Sequence, residues 1–208
     1  MEAQAFWRVI GLYNQSTWMA QVIILVILIT SMFFAYVKKQ IWVPKIALGI
    51  TNLFIGIGFF LCYGTEPIQR YFAFPLYIAI GLLFFWEGLK WRKSKLYKFE
   101  RIHWILLVLI IAYPLVSLII GHTYPQLVVY IMPCPVISIS IVIYSCYEHK
   151  NKTLLLLMTI WGLTGIKAFL FNALEDTILL ICGIYCLCIL IKEIRSGKMK
   201  RISERRAV

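Results

Sequence analysis

Charge is scarce in this sequence. Of its 208 residues 14% are Asp, Glu, Lys or Arg, and only nine are acidic. Soluble domains carry about 25% charged residues. With 62% of the chain hydrophobic, the apolar side chains exceed what one interior can hide, which excludes an ordinary soluble domain. The parts of familiar hydrolytic machinery are missing as well. There is no Gly-x-Ser-x-Gly elbow, no His-Glu-x-x-His and no pair of carboxylates deep within an apolar run, so serine, zinc-protease and aspartyl chemistry lack their groups. The three histidines do not replace them, because His103 and His122 stand roughly 28 Å apart along one helix. His149 is expected at the same end as His103. An enzymatic role is therefore not expected, nor is a cofactor.

Long apolar runs are what the sequence does have, at roughly 17–37, 42–63, 70–90, 102–121, 125–147, 153–173 and 176–194. Each matches the ~20 residues with which a helix crosses a bilayer. They are too long and too evenly apolar for barrel strands. The expected fold is all-α: a polytopic membrane protein, a bundle of seven transmembrane helices. The chain reads as a single transmembrane domain over 1–208, with an outer interfacial segment at 1–16, seven spans over 17–194 and a basic tail at 195–208. Phe6, Trp7 and Ile10 at helical spacing suggest that the first segment is a short helix lying in the interface. The first span lacks the basic flank and small-residue exit of a signal peptide.

Orientation follows from the basic residues, which collect on the cytoplasmic side of short loops. With the N-terminus outside and the C-terminus cytoplasmic, eighteen of the 21 Lys and Arg fall in inner segments. Arg8 and Arg70 lie outside, and Lys167 falls within the sixth span. The net charge of +12 is thus juxtamembrane, so the expected partners are membrane lipids, including anionic head groups at the cytoplasmic face, and not nucleic acid. Of six cysteines only Cys62 is expected near the outer surface, so no disulfide is expected.

Polar residues inside hydrocarbon are costly and therefore informative. Lys167 lies roughly 8 Å from the outer end of helix six. It either pairs with Glu175 and Asp176 across the next turn or lines an outer vestibule. In helix five, Pro133 and Pro135 remove two N–H donors, which predicts a kink and frees the carbonyls of Val129 and Ile131. Cys134 lies between them at about the depth of Cys182 and Cys186. The latter two share a helix face at i, i+4, which makes the three weak candidates for a thiophilic metal site, although buried cysteines more often simply pack. Asn14, Trp18 and Gln21 form one stripe on helix one, and Asn52 and Tyr113 sit near mid-depth. The candidate ligand-binding residues are Pro133, Cys134, Pro135, Tyr113, Asn52, Lys167, His122, Trp18 and Gln21. Interhelical hydrogen bonding is the plainer account of each taken singly.

Tyr13-Asn14, Trp18 and Gln21, Tyr113-Pro114, Gly121-His122-x-Tyr124-Pro125, Pro133-Cys134-Pro135 and Glu175-Asp176 together resemble the bacterial membrane family catalogued as domain of unknown function 6064, along the whole chain. The resemblance implies a bacterial cytoplasmic membrane location. It also implies a polar, cation-facing position between the two prolines, where relatives carry Cys or Asp, but it assigns no activity. Two functions stay open. One is a small transporter or channel for a small solute or cation, with its site near the kinked fifth helix. The other is a non-transporting lipid-binding, sensory or scaffolding subunit. Association of copies is compatible with both.

Overall fold

The computed structural model describes residues 3–206 except Trp91, Lys93 and Asn172, and side chains over 6–196 except those three and 170–171. Lys93 and the side chains of the basic tail after Ser196 lie outside the described residues. Among those described, all regular structure is helical, with one isolated antiparallel bridge between Leu96 and Tyr147.

Helix α1 runs unbroken from Ala3 to Val37. At 1.5 Å per residue that is about 52 Å, well beyond the ~30 Å of a bilayer core. Residues 3–13 are its first turns and not the separate interfacial helix expected. Trp7, Val9, Ile10 and Tyr13 are buried, because a later segment of chain packs against them. Val22, Ile23, Val26 and Ile29 are exposed, an apolar face that water-soluble monomers do not show.

Helix α2 (Val43–Phe54) widens into a π-helix over Ile55–Leu61. Another π-turn, Gln69–Ala73, leads into α3 (Phe74–Lys90). The two helices cross closely where a Cβ on Gly49 would stand 3.1 Å from the Gly81 carbonyl oxygen. Helices α4 (Arg101–Ile111) and α5 (Tyr113–Ile120) are one apolar stretch bent by 43°. Pro114 accounts for the bend, since its ring displaces the carbonyl four residues back.

The chain then runs without regular structure to α6 (Pro133–Ser145). A single kinked helix over 125–147 was expected; instead the helix begins at Pro133. Proline is well placed in a helix's first turn, where its missing N–H has no partner to lose. Eleven of the thirteen α6 residues are buried, as befits a helix apolar all round at the centre of a bundle. Helix α7 (Lys152–Leu163) passes through a 3-10 turn, Thr164–Lys167, into α8 (Ala168–Phe171). A second 3-10 turn, Leu174–Asp176, opens α9 (Thr177–Arg206). Helices α7 and α9 touch backbone to backbone: a Cβ on Gly162 would lie 2.5 Å from the Gly183 Cα.

By length and apolarity four described helices can cross a membrane: Phe6–Val37, Val43–Leu61, Gln69–Lys90 and Leu174–Ser196. The bent α4–α5 pair makes a fifth if its two halves form one span. The α6 helix, at thirteen residues, spans about 20 Å and falls short of that thickness alone.

Candidate functional site

Residues 121–132 bring non-helical backbone into the bundle at the end where α1 begins. Buried peptide groups must find partners, and side chains of three helices supply them. The Tyr13 hydroxyl donates to the Ile131 carbonyl at 2.8 Å, and Asn14 Nδ2 donates to the carbonyls of Pro125 and Leu127 at 2.7 and 2.8 Å. Gln21 Nε2 in turn donates to Asn14 Oδ1 and Thr17 Oγ1. From α5, Ser117 Oγ accepts from the Val128 N–H at 3.2 Å, and from α3 the Tyr77 hydroxyl donates to the Pro133 carbonyl at 2.7 Å. The Ile131 oxygen, expected to be free for a ligand, is therefore occupied by Tyr13. Irregular backbone at membrane depth persists where protein completes it, and this segment meets that condition.

Beneath the segment lies a cleft with about 150 Å³ open to a water-sized molecule. Its walls include Phe6, Phe59, Phe60, Phe72, Met132 and Trp161. The Pro133-Cys134-Pro135 turn, Lys167 and Asp176 also face it. Polar groups are few and close together. Cys134 Sγ donates to Asp176 Oδ2 at 3.3 Å, and the buried indole N–H of Trp161 has no geometric partner among the described residues. The Tyr113 hydroxyl is fully buried and likewise unpartnered, and it interacts electrostatically with Asp176 and Cys134. Gly165 permits the arrangement: a Cβ there would stand 2.7 Å from the Asp176 carbonyl oxygen, so only glycine lets the 3-10 turn close against the start of α9.

Cys134, Pro133, Pro135 and Lys167 thus share one cleft, with Tyr113 adjoining it, and the other candidates lie elsewhere. Asn52 donates to the Leu48 carbonyl and to Ser140 Oγ between α2 and α6. His122 stacks on Trp7 at 3.6 Å. Gln21 braces Asn14, as described. Trp18 points outward with 52% of its surface exposed and is not part of an inward stripe; Thr17 takes that place beside Asn14 and Gln21. Lys167 is exposed and pairs with neither acidic residue. Asp176 turns to Cys134, and Glu175, fully buried, accepts from Ser117 Oγ at 3.1 Å. Cys182 and Cys186 are buried free thiols, Cys186 donating to the Leu155 carbonyl at 3.5 Å. Among the described residues no three His, Cys, Asp or Glu side chains gather as a metal site.

Sequence reasoning offered Glu175 and Asp176 as partners of Lys167 and took Lys167 as the sole basic residue within a span. It missed a second buried charge. At the opposite end of the bundle, Lys45 Nζ lies 3.2 Å from Glu87 Oε2, with side-chain exposures of 0% and 2%. The ammonium also sits 4.5 Å from the Tyr147 ring centroid. The available signal was that Lys45 and Glu87 occupy matching ends of two antiparallel neighbours.

An all-helical bundle with several helices compatible with membrane crossing, and a mostly apolar cleft at its broken end, defines the class. Residues 3–201 match the family of unknown function DUF6064, and the chain belongs to that family. No curated protein and no solved structure matches it.

Proposed function

We propose that this chain is a membrane protein of seven spans, with its N-terminus outside and its basic tail inside, that carries a small solute or cation through the cleft. The observation that carries this reading is the cleft itself, with Cys134 and Asp176 at its polar floor and interrupted helices around it. The π-turns, the 121–132 segment and both 3-10 turns fall at that end. Discontinuous helices meeting at a polar site are the architecture of many carriers. The bent α4–α5 pair serves as the fourth span. Segment 121–132 with α6 serves as the fifth, and α7 with its 3-10 turn and α8 serves as the sixth. The distribution of basic residues supports this orientation, under which the cleft lies on the outer side. The Lys45–Glu87 pair, which closes the α2–α3 contact at the opposite end, is consistent with an outward-open state of an alternating-access cycle.

The test retains Cys134 as the only cysteine and applies a small, membrane-impermeant thiol reagent to intact cells and to inverted vesicles. Labelling of intact cells is expected. Labelling of inverted vesicles alone would reverse the orientation. Modification only after denaturation would mean a sealed core and would leave a lipid-binding or scaffolding subunit.

A further inference from the structure

We infer that the ligand of this cleft is a small organic cation, an ammonium bearing apolar groups, held by the free oxygen of Asp176 among the rings of Trp161 and Phe60. The inference rests on the cleft being a solute site and adds the chemical class of the solute.

Three features of the site select that class. The walls are apolar and aromatic, and the Phe60 and Trp161 rings meet edge to face at 5.3 Å. An aromatic face attracts an ammonium, most strongly when water is excluded. The floor carries one carboxylate, of which Oδ2 is taken by the Cys134 thiol and Oδ1 has no partner among the described residues. A bare metal ion is poorly served: calcium takes six to eight oxygen ligands, whereas this floor offers one carboxylate and a thiol. An organic cation brings its own apolar shell and needs only one counter-ion. The remaining charge, Lys167, is exposed at the mouth, where water and salt screen it. Asp176 acts from the enclosed floor.

The experiment titrates the purified full-length protein by calorimetry with benzyltrimethylammonium, benzyl alcohol and benzenesulfonate. The cation is expected to bind roughly tenfold or more tightly than the alcohol, given a counter-ion in an enclosed site. Asp176→Asn should abolish that preference and Asp176→Glu should retain it, each variant eluting and melting as the parent does. Trp161→Phe should weaken cation binding by roughly 2- to 5-fold. Equal binding of cation and alcohol, both weakened in Trp161→Phe, would overturn the organic-cation assignment while leaving the cleft a solute site. Tighter binding of benzenesulfonate, lost in Lys167→Gln, would overturn it in favour of an anion. Absence of binding by all three probes, with Cys134 still labelled in intact cells, would overturn the assignment without closing the cleft.

Discussion

The two ends of the bundle handle buried polarity in opposite ways. At the end where α1 begins, helices break, backbone oxygens are taken by Tyr13, Asn14 and Tyr77, and a cleft retains a carboxylate with one free oxygen. At the other end α2 and α3 run regularly into a closed ion pair, Lys45 with Glu87, and the Tyr147 hydroxyl caps the Ile41 carbonyl at 2.6 Å. The α2–α3 contact at that end is closed by its ion pair, and an apolar cleft lined by Tyr36, Phe99, Trp104 and Ile143 opens beside it. At the cleft end several backbone groups of 121–133 find side-chain partners, while the Tyr113 hydroxyl and the Trp161 indole N–H have none among the described residues, which suits the ligand proposed above.

The largest effect is expected where this contrast is sharpest. Lys45→Met leaves the Glu87 carboxylate buried and alone, and should cost about 3–5 kcal/mol, measured by denaturant unfolding in micelles. The double variant Lys45→Met/Glu87→Leu should recover most of that loss. Asp176→Asn, with its hydrogen bond to Cys134 conserved in shape, should move the same midpoint little. A large loss in Asp176→Asn, or none in Lys45→Met, would erase the distinction between the ends.

A smaller effect tests the backbone of the cleft end. Tyr13→Phe removes the donor to Ile131 and should cost about 1 kcal/mol, the scale of hydrogen bonds within membrane bundles. It should also speed labelling of Cys134, because the covering segment is less firmly held. Slower labelling would count against that segment as a cover.

The smallest effect concerns Lys150, in the loop between α6 and α7. Burial pushes its ammonium below the usual lysine range, with Glu193 opposing, and its Nζ donates to the Tyr147 carbonyl. The folded state therefore binds fewer protons than the unfolded chain between that lowered value and about 10.4. Stability contributed by this group rises with pH across that window. Melting points of the parent and Lys150→Gln, compared from pH 8 upward, should show a shallow rise that the variant lacks.

Much of the scaffold was readable from apolar runs, because helix length and hydrocarbon thickness share a scale. The break after Ile120 was not, since Pro133 and Pro135 serve equally for a kink within a helix or for its first turn, and only the partners waiting on α1, α3 and α5 decide. Periodicity put Asn14 and Gln21 on one stripe but named Trp18 between them where Thr17 stands, both being helical neighbours of each. The Cys134–Asp176 pair needs α6 and α9 side by side, a non-local fact. Lys45 escaped notice because a lysine near the edge of an apolar run counts as solvated until a facing carboxylate is seen.

The segment before α6 has one more consequence, for the order in which the chain is made. Its long-range partners, Tyr13, Asn14, Ser117 and, at Pro133, Tyr77, all precede it. When residues 121–132 leave the ribosome, the groups that will complete their backbone have already been synthesised, so this stretch can be received by a half-built bundle as it emerges. A circular permutant that delivers α1 last would present the same peptide to the bilayer before its two principal donors exist.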